Sequence, residues 1–188
     1  MTHITAINRR ALMQRALFLL GAAALPGATE VLAAPAKKKA KRYLDANRFA
    51  LLAAVAGTMV PKTDTPGAVE VGVPAQFDAL LGKWASAATR AQLVASLASI
   101  DAAAQTAHAK NFAALDTERR LNVLSAYDKS VPQTDTGYGK LKELIVVLYF
   151  FTEPGATQEL RYEHTPGVWE PSIPVTPETR AWGGAGLI

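Results

Sequence analysis

The chain has 188 residues, no cysteine, and 20 basic against 16 acidic residues, a formal net charge of +4. Without cysteine there is no disulfide staple, no thiol nucleophile, no Cys-x-x-Cys-His haem attachment and no thiolate-held iron–sulfur cluster. The positive charge is also unevenly placed: Lys37, Lys38, Lys39, Lys41 and Arg42 form one run, whereas residues 43–188 hold 12 basic and 15 acidic residues, so the body lacks the basic face that nucleic-acid binding requires.

The first element is a leader. Asn8-Arg9-Arg10-Ala11-Leu12-Met13 runs into the apolar residues 16–25, and a small-residue exit follows at Val31-Leu32-Ala33. This is the pattern of an export signal, and the paired Arg9 and Arg10 point to the twin-arginine translocase, which carries proteins that have already folded. The expected organisation is a signal over 1–33, a basic linker over 34–43, and one domain over 44–188, delivered to the periplasm. A membrane span over residues 16–28 fails on length, because a rise of about 1.5 Å per residue leaves it well short of a hydrocarbon core about 30 Å thick. About 155 residues remain after the signal, enough for one hydrophobic core.

Residues 45–60 have the period of a helix, with Asp45 as N-cap and Phe49, Leu52, Ala53, Ala56 and Met59 on its apolar face, ending at Pro61. Residues 61–74 form a structured connection in which Pro66-Gly67 suits a type II turn, with Gly67 supplying the positive φ. Pro74 opens a short helix to about Trp84 that buries Phe77, Leu80 and Leu81. A longer helix follows from Thr89, with Leu93, Leu97, Ile100 and Ala104 on one stripe. Asp116 or Thr117 caps a fourth, through about Asp128, with Leu121, Leu124 and Tyr127 as its apolar residues.

Residues 131–139, with Pro132, Gly137 and Gly139, read as a loop before the strongest apolar stretch, Leu141 to Phe151. That stretch is apolar on every side from Leu144, so it is either a central helix wrapped by others or a buried strand; the lack of partner strands favours the helix. A short helical piece over 157–161 leads to a tail from about residue 163, held extended by Pro166, Pro171, Pro174 and Pro177. Trp169 and Trp182 on that tail must cover their indoles on this domain or on another protein. The fold expected is all-α: a compact domain of about five helices with a long proline-rich extended tail.

Chemistry is sparse. His108 and His164 lie far apart without metal-ligand spacing. Gly137-Tyr138-Gly139 lacks the third glycine of a dinucleotide loop, and Gly82-Lys83 is followed by Trp84, not by the Ser or Thr of a phosphate loop. Asp64 between Thr63 and Thr65 reads as a turn residue, and Glu153 before Pro154-Gly155 as a helix-end residue. No catalytic, cofactor-binding or metal-ligating residue is assigned.

Two stretches carry a resemblance. Met59-Val60-Pro61-Lys62-Thr63-Asp64-Thr65-Pro66-Gly67-Ala68, with Val71-Gly72-Val73 and Phe77, resembles the opening signature of the gluconate 2-dehydrogenase subunit 3 family. Tyr149-Phe150-Phe151-Thr152-Glu153-Pro154-Gly155-Ala156-Thr157-Gln158-Glu159-Leu160-Arg161-Tyr162, then Pro166-Gly167, resembles its closing signature. The resemblance implies a small, cofactor-free helical subunit that accompanies a large FAD-dependent dehydrogenase of the glucose–methanol–choline type, oxidising a sugar, sugar acid or polyol. It also implies a cytochrome c subunit as a frequent electron acceptor, and a small subunit whose signal exports the large one. It gives Thr63, Asp64, Thr65, Pro66, Gly67, Glu153, Pro154 and Gly155 structural or interface roles. A free-standing exported enzyme and a periplasmic binding module without redox partner are the alternatives.

Overall fold

The computed structural model describes residues 42–132, 135–163, 165, 167 and 172–183. Arg9 and Arg10, the signal, the linker up to residue 41, His164, Trp169 and the chain after residue 183 lie outside the described residues. Among the described residues five α-helices form the body: α1 (Ala46–Met59), α2 (Val73–Lys83), α3 (Ala87–His108), α4 (Thr117–Ser130) and α5 (Thr136–Phe150). A 3-10 turn, Phe112–Ala114, joins α3 to α4, and a π-helical turn, Gly155–Glu159, follows α5. The expected all-α class holds, with one addition in the tail.

Four of the five helices begin where a side chain satisfies free N–H groups of the first turn; α2 starts instead at Gly72, with no side-chain cap. Asp45 accepts from Arg48 N, Asp116 from Arg119 N, and Asp135 from both Gly137 N and Tyr138 N. α3 begins earlier than its sequence suggests, because Ser86, not Thr89, is the cap and accepts from Thr89 N at 3.1 Å. The Asp135 cap likewise draws Gly137 and Gly139 into the first turn of α5, where a loop was expected. Gly137 is needed there for close approach: a Cβ would lie 2.8 Å from Ser96 Oγ and 3.4 Å from the Gln92 carbonyl oxygen of α3.

The central helix is α1, which packs against all four others, while α5 lies chiefly against α2 and α3. α1 is rich in small residues, and the chain after it approaches closely; a Cβ on Gly57 would sit 3.0 Å from a Val69 methyl. Leu52, Val55, Phe77, Leu81, Leu93, Leu97, Ile100, Phe112, Leu141 and Ile145 are fully buried, each contributing roughly 1.5–3 kcal/mol from removal of its side chain from water. α5 is therefore not wrapped on every side: Val146 and Phe151 stay exposed. On α4, Val123 and Leu124 face inward and Leu121 is exposed, because the helix turns the face one position away from the expected one.

The two ends of the body differ. At one, the buried Asp78 carboxylate of α2 accepts from Tyr43 N and Leu44 N at 3.0 and 2.7 Å, fixing the chain where it leads into α1. α2 ends there, with Trp84 exposed. At the other end lie the C-termini of α1 and α5 and the start of α2.

The tail returns to the body. Arg161–Tyr162 (β1) and Trp182–Gly183 (β2) pair in parallel, with Arg161 opposite Trp182, and Arg161 N donates to the Ala181 carbonyl at 2.8 Å. Pro166 and Pro171 lie outside the described residues; Pro174 and Pro177 keep residues 172–181 out of helices, and the residues after Pro177 pair with β1. No described helix is long and apolar enough to cross a membrane.

Candidate functional site

At the α1 C-terminus, Pro61 stops the helix and the chain folds into a tight loop. Thr63 N donates to the Thr65 carbonyl at 3.1 Å, Ala68 N to the Val60 carbonyl at 3.0 Å, and Thr63 Oγ1 to Asp64 Oδ1 at 3.0 Å. Gly67 does not take the positive φ expected of a type II turn; among the described glycines only Gly72 does, at 82°. Gly67 is required for space instead, since a Cβ would come within 2.6 Å of Lys62 N and 2.9 Å of the Val60 carbonyl oxygen. Gly72 supplies the left-handed turn that launches α2.

The second signature closes on this loop from 83 residues away in sequence. Tyr149 on α5 donates from its hydroxyl to the Pro66 carbonyl at 2.9 Å. The Thr152 hydroxyl donates to the Tyr149 carbonyl at 2.6 Å and accepts from Gly155 N at 3.2 Å, fixing the exit from α5. Gly155 is buried against that same carbonyl, and a Cβ would run into it. The π-helical turn then presents Glu159, whose Oε2 accepts from the buried Thr65 hydroxyl at 2.7 Å.

Arg180 adds a third segment. Its Nη2 lies 2.6 Å from Asp64 Oδ2 and its Nη1 3.7 Å from Glu159 Oε1, so one guanidinium spans both signatures from the tail. Beside it, the Arg161 guanidinium lies over the Trp182 ring at 4.2 Å and also pairs with Glu163 at 2.8 Å. Trp182 nonetheless remains 45% exposed.

Of the residues the sequence singles out, Thr63, Asp64, Thr65, Pro66, Gly67, Pro154, Gly155 and Trp182 thus lie in or directly against one assembly, with Glu153 exposed at its edge. Sequence reading missed Glu159 and Arg180 as its connectors. One signal was available: Arg180 is the sole Lys or Arg after Arg161. The polar groups are spent on one another, which makes the assembly a clasp across three segments. Among the described residues, no group of three or more His, Asp or Glu stands close enough to hold a metal ion. A surface groove of about 520 Å³ lies elsewhere, between α1 and α3, lined by Ala50, Val94, Ala98, Asp101 and Asn111.

The Arg180 guanidinium, helped by the Thr63 hydroxyl, holds the Asp64 carboxyl below its ordinary pKa. A carboxylate whose folded pKa is depressed stabilises the fold above its unfolded value and loses that contribution as pH falls through the folded one. Asp64 is therefore ionised at neutral pH, and what its pairing with Arg180 contributes is lost as the pH falls into the acid range. Arg180→Ala should move the Asp64 titration to higher pH. Carboxyl NMR shifts measured against pH will read this, and an unmoved Asp64 would show that the ion pair does not persist in solution.

The sequence model of a family described as Gluconate 2-dehydrogenase subunit 3 matches residues 46–167, from the first turn of α1 through the closing signature. No curated protein and no solved structure matches the chain.

Proposed function

The chain belongs to the gluconate 2-dehydrogenase subunit 3 family, and from that membership we propose that it is the non-catalytic small subunit of a dehydrogenase complex, which binds, stabilises and co-exports a large FAD-dependent subunit. The large subunit oxidises a CH–OH group of a sugar, sugar acid or polyol, and a cytochrome c subunit accepts the electrons. The family's name makes its members one component of an assembly, so a hetero-oligomeric partner comes with membership. The Arg9-Arg10 signal supplies the route, through the twin-arginine translocase to the periplasm, for a partner without its own signal.

The observation that carries this reading is the closure of Thr63–Gly67 on Tyr149–Glu159, with Arg180 across both. Residues that resemble the family's two signatures meet in space, and their hydrogen-bonding groups are consumed in fixing one another. A rigid, preformed surface of this kind lowers the ordering cost of association. A general acid or base, by contrast, must reach the proton it transfers.

Purification of the chain from its native host tests the proposal. The expected result is a near-stoichiometric complex with a larger polypeptide that carries flavin absorbance and sugar- or polyol-oxidising activity. The chain separated from that partner should show neither flavin nor haem absorbance. A chain that purifies alone, or that oxidises such substrates by itself, would overturn the proposal.

A further inference from the structure

We infer that the clasp end of the molecule is the face that docks the large subunit, and that the partner surface it fits is apolar at its centre and rimmed by Arg or Lys. This rests on the accessory-subunit reading above and says where and by what chemistry the two chains meet.

Tyr43, Trp84, Leu121 and Val146 are exposed elsewhere on the body, but this end carries its own set of exposed large apolar side chains. Val69 follows the opening signature, Phe151 ends α5 with 63% of its surface exposed, and Val175 and Trp182 lie on the returning tail. The described tail residues Ser172–Trp182 are exposed apart from Ile173, yet the segment is fixed, tied by Arg180 to Asp64 and by β2 to β1. Aromatic side chains held in place beside arginines are the composition of binding hot spots. A lone exposed apolar residue needs no partner, whereas several at one end of a small domain do.

Charge selects the occupant. Arg180 is already engaged by Asp64 and Glu159, and Arg161 by Glu163. The outward charge of this end is then set by Glu70, Glu153 and Glu178 against Lys62, all exposed. An acidic rim repels the anionic headgroups of a membrane and the identical rim of a second copy, and attracts a basic one. A protein face carrying Arg or Lys around an apolar centre meets both conditions.

The test uses the purified complex, dissociated and reassociated with variants of this chain. Trp182→Ala and Phe151→Ser should each weaken association by roughly thirtyfold, as loss of a hot-spot anchor does. Trp84→Ala removes an equally large exposed aromatic from the opposite end, carried there by the 11 residues of α2, and should change affinity by less than about twofold. Glu70→Gln combined with Glu153→Gln should slow association and flatten its salt dependence. Should Trp182→Ala also lower the melting temperature of the isolated chain, Phe151→Ser decides, because it adds no cavity. Binding unaltered by both apolar substitutions, or weakened as much by Trp84→Ala, would overturn the inference. So would faster association without the two glutamates, or a homodimer broken by these variants. Absence of any large subunit from the wild-type preparation would instead remove the accessory reading, and this inference with it.

Discussion

Lysines in place of Arg9 and Arg10 will leave this protein and its partner's dehydrogenase activity in the cytoplasm, with periplasmic activity falling to background. The substitution keeps both charges and removes the planar guanidinium pair, two side chains that are not interchangeable where recognition depends on fixed donor geometry. The expected effect is large because, in the function proposed above, one signal serves a folded pair, and a large subunit assembled on this chain would cross with it or not at all. Total activity in whole-cell extracts should be preserved, which separates failed export from failed folding. Fractionation followed by a dye-reduction assay on each fraction reads the outcome directly. Periplasmic activity at the wild-type level would remove co-export from the function of this chain.

Gly155→Ala will lower the melting temperature of the isolated chain by roughly 10 °C. The added Cβ meets the Tyr149 carbonyl, which is main chain and so has no rotamer to yield. That carbonyl already accepts from the Thr152 hydroxyl, and the Tyr149 ring carries the hydroxyl bound to Pro66. Relief therefore requires the end of α5 to shift and pulls the two signatures apart. Overpacking of this kind costs on the order of 3 kcal/mol, and a chain of this size loses about 2–4 °C per kcal/mol. Gly139→Ala is the comparison: nothing lies within 4 Å of its added Cβ, and within a helix the exchange stabilises by up to about 1 kcal/mol. Equal melting temperatures for the two variants would show that the turn after α5 accommodates a side chain and is not the constraint described.

The helices were legible because their caps and stripes are local. Asp45 and Asp116 stand immediately before their helices and cap the N–H three residues on, and the Leu93, Leu97, Ile100 and Ala104 stripe repeats at the period of the backbone itself. What the sequence hid depends on distance. Gly67 looks like a turn glycine, and only the approach of the Val60–Lys62 backbone reveals it as a space-making one. Leu144–Phe151 is more apolar than α1, yet α1 is central, since alanines and a glycine admit neighbours on every side whereas bulky side chains hold them off. Both signatures are visible as sequence, but nothing local says that Thr65 reaches Glu159 or that Arg180 reaches both. Such pairings are set by the packing of α5 and the path of the tail, which no short-range pattern encodes.

Asp78 also marks an edge. Because the N–H groups of Tyr43 and Leu44 are satisfied by a carboxylate of α2 and the Arg42 guanidinium lies 4.0 Å over the Phe49 ring in the first turn of α1, the chain is held to the body from Arg42 onward, and unfolding from the N-terminal side must break these contacts before it reaches α1. A protease working inward from that side should halt there and leave a trimmed product that melts like the parent.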